Sequence, residues 1–318
     1  MDWRAGGRGL WNPGAHTLKR SNESRYDTFP IHACNNRRIA SMGSMLFAMV
    51  IGILIRGSDA LSVVDAGAAS LSKLLPFENK DAFFSAPPNF YGVFDGVTQC
   101  PQSRPFAQTL AKTACAELLA TGVRGSWSEQ AREALEQASV TAGEFSGAST
   151  ACMLRVDLDQ EEPQLCCFNL GDSACMVLRP SEDQPGSFIV AYTSEAKMHS
   201  NGAPYQLGGR NWQSDAPQAG ESFTFGVAAG DVVLCYSDGL DNNLAPPDIV
   251  QIASQCRAQP VQVMAKTLAE AARQRRQVDD DVTVVALRLG EGGWSGSEAM
   301  ATVLTDEAPW EKFGLRFT

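Results

Sequence analysis

Residues 90–97, Phe90-Tyr91-Gly92-Val93-Phe94-Asp95-Gly96-Val97, form an apolar run that stops on an acid and a glycine. The run reads as a strand, so the carboxylate stands on a rigid element, and glycine beside it lets backbone and water approach closely. One Asp-Gly alone is an ordinary turn dipeptide. Here the pattern recurs. Leu170 runs into Gly171-Asp172-Ser173, and the apolar stretch 231–236 runs into Ser237-Asp238-Gly239. A fourth acid, Asp280, lies in Asp279-Asp280-Asp281 immediately before the apolar run 282–289. Oxygen ligands at strand ends suit hard cations such as Mg²⁺ or Mn²⁺, which keep several waters.

Working outward, the strand readings are 90–94, 149–156, 164–170, 174–179, 187–192, 231–236 and 282–289. Several are apolar on both faces, as in sheets that are stacked or covered by helices. Phe106, Leu110, Ala114 and Leu118 recur every four residues and predict a helix over 103–120. A second helix starts near Ser126, where Glu129 completes a capping-box pattern. Two more are expected over about 248–257, opened by Pro246-Pro247, and about 261–276. Strands and helices cluster rather than alternate. That favours an α+β fold of antiparallel layers over a parallel doubly wound sheet.

The flanks read differently. Residues 1–57 hold eight Lys/Arg and three acids, against a formal charge of −10 for the whole chain, so the body is strongly acidic. An acidic body disfavours nucleic-acid binding through phosphates. Residues 45–55, MLFAMVIGILI, are an apolar run too short for a bilayer span of about 20 residues. With Arg37 and Arg38 before it and Ser58-Asp59-Ala60 after it, the run reads as the core of a signal-type leader. The expected domains are a leader over 1–60, a catalytic domain over 61–289 and a C-terminal tail over 290–318. The leader implies an organelle (plastid or mitochondrion) or the secretory route, with no stable membrane span. The nine cysteines are odd in number and include no C-x-x-C pair, so they signal neither a zinc site nor a disulfide framework. Most read as small buried hydrophobes.

Five stretches together resemble the PPM (type 2C) family of metal-dependent protein phosphatases. They are Val93-Phe94-Asp95-Gly96-Val97, Gly147-Ala148-Ser149-Thr150-Ala151, Asn169-Leu170-Gly171-Asp172-Ser173, Ser237-Asp238-Gly239-Leu240 and Asp280-Asp281-Val282-Thr283-Val284-Val285. Asp-Gly-Val and Ala203-Pro204-Tyr205-Gln206-Leu207 resemble the small organelle-associated branch. The resemblance implies a four-layer α-β-β-α sandwich with two Mn²⁺ or Mg²⁺ ions at one end and a third, weaker position. It implies that Asp95 bridges both principal ions, that the Gly96 carbonyl touches one, and that Asp238 and Asp280 complete the other's shell. Asp172, with Asp238, matches the third position, and Asp81 falls where the family has an acidic pair. The implied reaction is hydrolysis of phosphoserine or phosphothreonine on a phosphoprotein substrate by metal-activated water. A cysteine nucleophile is not required, and a monomer is expected.

Three departures define a rival reading. Lys80 stands where the family carries the first acid of its pair, and an ammonium there would repel the second ion or bind phosphate itself. Thr98-Gln99-Cys100 replaces the branch's Gly-Gly-Trp. Asp241 comes one residue early for the third metal position. The rival is a pseudophosphatase that serves as a binding scaffold. A calcium-binding module is disfavoured, because no D-x-[DN]-x-[DN]-G loop occurs.

Overall fold

The structure, a computed structural model, describes residues 60–73, 78–158 and 160–292, together with the backbone of strand 302–304. The leader reading, including the apolar run 45–55, lies outside the described residues, as does most of the tail.

Two antiparallel sheets stack face to face. The first has the order β1-β12-β11-β7-β8, with β1 Leu61–Leu71, β7 Ala174–Pro180, β8 Phe188–Thr193, β11 Val232–Tyr236 and β12 Val282–Glu291. The second has the order β10-β6-β5-β3-β2-β13. Its strands are β2 Ala82–Ala86, β3 Phe90–Phe94, β5 Ala151–Asp157, β6 Gln164–Leu170, β10 Glu221–Gly226 and β13 Thr302–Leu304. A short pair, β4 Ala148–Ser149 and β9 Leu207–Gly208, stands apart. Helices α1 Ser103–Thr121 and α2 Trp127–Ala142 cover the second sheet, and α3 Pro246–Gln255 and α4 Val261–Arg275 cover the first. This is the α-β-β-α sandwich the sequence implies.

The pleat sorts side chains into three apolar layers, because successive strand residues face opposite sides. In β3, Phe90 and Phe94 meet α1 and α2, whereas Tyr91 and Val93 point between the sheets. In β11, Leu234 and Tyr236 meet α3 and α4, and Val233 and Cys235 point inward. Strands buried on both faces explain the continuous apolar runs. Phe106, Leu110, Ala114 and Leu118 of α1 are all buried, as their four-residue spacing predicts. The eight described cysteines are buried, and four of them (Cys152, Cys167, Cys175 and Cys235) belong to the layer between the sheets.

Three expectations need correction. Ser126 is the N-cap of α2, but its side chain makes no capping hydrogen bond, so the capping box does not form. The single strand expected over 149–156 is broken at Thr150 into β4 and β5, because Thr150 turns to serve the acidic centre. Strands β1, β2, β9, β10 and β13 have no counterpart among the strand readings; β1 mixes Leu and Val with Ala, Gly, Ser and Asp, and its pairing with β12 reveals it.

Candidate metal centre

The ends of β3, β6 and β11 lie together at one end of the sandwich. They bring Asp95, Asp172 and Asp238 so close that one carboxylate oxygen from each lies within 4.8 Å of the others. The group was legible as three strand-end acids, and the fold unites them. Asp280 and Asp81 lie close enough for their charges to act on members of the trio, Asp280 on Asp172 and Asp81 on Asp95. Asp241 is exposed and outside the trio.

The loops are held by close backbone approach. A Cβ on Gly96 would collide with the Lys80 carbonyl oxygen, and one on Gly239 with the Asp281 carbonyl oxygen. Glycine is therefore required at both positions, with the β1–β2 connection seated on one and the start of β12 on the other. Thr150 joins two of the acid-bearing loops. Its hydroxyl accepts from the Asp95 N–H at 3.2 Å and lies 2.9 Å from the Ser173 hydroxyl, beside Asp172. Ser237, next to Asp238, donates to Asp81 Oδ2 at 2.8 Å and accepts from the Thr283 N–H at 2.9 Å. Asn242 donates to Asp238 Oδ2 at 2.9 Å.

Burial and crowding make the ionised carboxyls costly. Burial, then the charge of Asp281, pushes Asp81 up to about 8. Burial, then the charge of Asp238, pushes Asp172 up to about 7. Asp95 is raised well above the ordinary range by burial and by the charges of Asp81 and Asp238. Asp280 is raised by burial and by Asp238, with Lys73 opposing. A cation shared among such groups relieves both penalties at once. Two atoms argue that one belongs here. Asp81 Oδ1 and Asp238 Oδ1 are buried, and neither has a hydrogen-bond partner among the described residues. Buried carboxylate oxygens are seldom left so. The donor set, all oxygen, fits Mg²⁺ or Mn²⁺.

Lys80 does not do what the sequence suggested. Its ammonium is turned onto the next loop, donating to the Thr98 carbonyl at 2.6 Å and the Cys100 carbonyl at 3.2 Å. The ammonium thus fastens the loop through two backbone carbonyls. Asp281 was not singled out by sequence. Its buried carboxylate accepts from the Lys73 N–H at 2.8 Å and the Lys80 N–H at 2.9 Å, fastening both ends of the β1–β2 connection. Asp281→Ala leaves two backbone donors without this acceptor and is expected to cost about 2–4 kcal/mol. Urea unfolding measures it, and a loss below about 0.5 kcal/mol would mean the fastening carries no weight.

A sandwich of two antiparallel sheets with acids gathered at its strand ends is the architecture of the PPM class. The chain belongs to the family described as Stage II sporulation protein E (SpoIIE), whose model matches residues 106–290. Among relatives, it is 34% identical over 158 residues to probable protein phosphatase 2C 55 of Arabidopsis thaliana, covering 48% of this chain and 31% of that one. It is 33% identical over 135 residues to the protein phosphatase PTC7 homolog of Danio rerio, covering 40% and 42%. The chain thus spans well under half the length of these relatives. Among solved structures, the photosystem II phosphatase PBCP aligns with a TM-score of 0.58 at 18% identity, covering 70% of this chain and 97% of that one. The PPM Ser-Thr phosphatase MsPP of Mycobacterium smegmatis aligns with a TM-score of 0.55 at 23% identity, covering 72% and 100%. The catalytic domain of PstP, solved in complex with two manganese ions, aligns with a TM-score of 0.54 at 17% identity, covering 72% and 99%.

Proposed function

We propose that this protein is a Mn²⁺- or Mg²⁺-dependent phosphatase that hydrolyses phosphoserine and phosphothreonine in protein substrates. The observation that carries the proposal is the convergence of Asp95, Asp172 and Asp238, with the buried oxygens Asp238 Oδ1 and Asp81 Oδ1 left without hydrogen-bond partners among the described residues. The names of the relatives and the two manganese ions of the PstP structure support the same reading.

In this reading Asp95 would serve two ions, the Gly96 carbonyl would touch one of them, and Asp238 and Asp280 would complete the shell of the other. Asp172, with Asp238, would hold a third, weaker ion. When bound, the ions lower the pKa of water and offset the charge of the phosphate oxygens. The chain's own part is to hold the carboxylates in place before a substrate arrives. Thr150 fixes the backbone at Asp95, Asn242 fixes one oxygen of Asp238, and Ser237 fixes one oxygen of Asp81. Asp81 Oδ1 remains as a buried acceptor behind the trio. The pseudophosphatase alternative loses its main support, because the ammonium of Lys80 is spent on loop carbonyls. Delivery to an organelle or the secretory route through the leader remains part of the proposal.

The test is hydrolysis of p-nitrophenyl phosphate and of a phosphothreonine peptide by the full chain, with and without Mn²⁺. Manganese-dependent turnover of both is expected. No turnover from folded protein across a range of Mn²⁺ and Mg²⁺ would leave a binding role instead.

A further inference from the structure

Two lysines converge on Thr98, at the edge of the acidic centre. Lys73 Nζ donates to the Thr98 hydroxyl at 3.1 Å, and Lys80 Nζ donates to the Thr98 carbonyl at 2.6 Å. Their backbones share one acceptor, the carboxylate of Asp281. The two ammonium groups differ in what else they meet. Lys80 turns to a second backbone carbonyl, that of Cys100. Lys73 turns to a carboxylate: its ammonium lies 3.7 Å from Asp280 Oδ1, and its side chain is only 7% exposed.

A surface lysine beside a carboxylate swings away at little cost when a stronger cation arrives. Lys73 is tethered at both ends, by its N–H on Asp281 and by its head on Thr98, and its stem is buried. Its charge is therefore held near Asp280. We propose that Lys73 is a built-in counter-ion of the acidic centre, competing with the divalent ion for Asp280 and setting how much Mn²⁺ or Mg²⁺ the centre requires. The proposal rests on the reading of Asp280 as a metal ligand. It makes Lys73 a positioning residue that weakens metal binding. Removing its charge should tighten binding, the opposite of what loss of a merely structural residue would do.

The experiment is calorimetric titration of Mn²⁺ into the metal-free full chain, for the wild type, Lys73→Met, Lys73→Arg and Thr98→Val. Lys73→Met is expected to bind Mn²⁺ about tenfold more tightly or better, the scale on which one nearby charge shifts an ionic equilibrium. Lys73→Arg, which keeps the charge, should stay within about threefold of wild type, well inside that scale. Thr98→Val removes one hydrogen bond that holds the head of Lys73 without touching its charge, so it should tighten binding in the same direction but less. It also serves as the test should Lys73→Met fail to fold. Unchanged or weaker binding in the folded Lys73→Met protein, or in Thr98→Val where the former does not fold, overturns the proposal. If no variant binds Mn²⁺, wild type included, the metal-centre reading itself falls and this inference with it.

Discussion

Asp238→Asn is expected to lower Mn²⁺-dependent turnover by on the order of 1,000-fold while making the metal-free protein more stable. Both halves follow from the same geometry. Asn keeps the shape of the side chain but removes the charge from a carboxylate that has one buried oxygen without a partner and another fixed by Asn242. In the proposed function that charge is shared with an ion, so activity falls. Without an ion the charge only repels its neighbours: Asp238 raises the pKa of Asp95, Asp172 and Asp280 alike. Removing it should add about 1 kcal/mol, a few degrees of melting temperature. A variant that is dead because it is misfolded would melt lower, so the two measurements separate chemistry from collapse. Turnover within about tenfold of wild type would sink the assignment of Asp238.

The second large effect is a reversal of pH dependence by metal. Asp81 and Asp172 are pushed up to about 8 and about 7, and Asp95 and Asp280 are raised as well. In the unfolded chain the same groups lose their protons near 4. Between about pH 4 and 8 the folded protein therefore holds more protons than the unfolded one, and rising pH favours unfolding. The contribution of these carboxyls is fully present below about pH 4 and is lost as pH climbs through 7 and 8. The total is of order several kcal/mol, so the metal-free protein should melt on the order of 10 °C lower at pH 8 than at pH 5.5. Saturating Mn²⁺ should cancel most of that difference, because it binds the ionised site of the folded state only. Melting curves in EDTA and in Mn²⁺ at both values test this, and parallel pH profiles in the two would contradict it.

The parts of this molecule that announce themselves in the sequence are those where one physical constraint acts alone. Residues 90–94 and 232–236 lie in strands buried on both faces, so apolar runs mark them without ambiguity. α1 shows its buried face at every fourth residue. Asp95, Asp172 and Asp238 are legible because each ends such a strand, and the fold has only to bring the ends together. β1 carries no such mark: its eleven residues include Asp65, Gly67 and several alanines, and its burial is partial throughout most of its length. Lys73 and Asp281 were illegible for a different reason. Their roles are contacts over about 200 residues of chain, and nothing local distinguishes them from a solvated lysine and one acid in a run of three. Lys80 was noticed for the wrong reason. The sequence gives its position beside the metal motif but not the direction of its side chain, and that direction decides whether it opposes a cation or fastens a loop.

The register of β1 against β12 pairs Leu61 with Glu291 and Leu71 with Val282, and β1 has no other strand neighbour in its sheet. A ribosome makes β1 about 210 residues before β12. At roughly 5–20 residues per second, β1 waits on the order of 10–45 seconds for its mate. β12 is also the strand that joins β1 to β11, so the first sheet cannot close around its centre until then. Asp95, Asp172 and Asp238, which follow β3, β6 and β11, are all translated before Asp280, Asp281 and the strand β12 that comes after them. A nascent chain therefore holds an incomplete, unfastened centre until β12 is made. Completion of β12 closes the sheet around the centre, which makes truncation just before β12 a loss of fold and of function in one step.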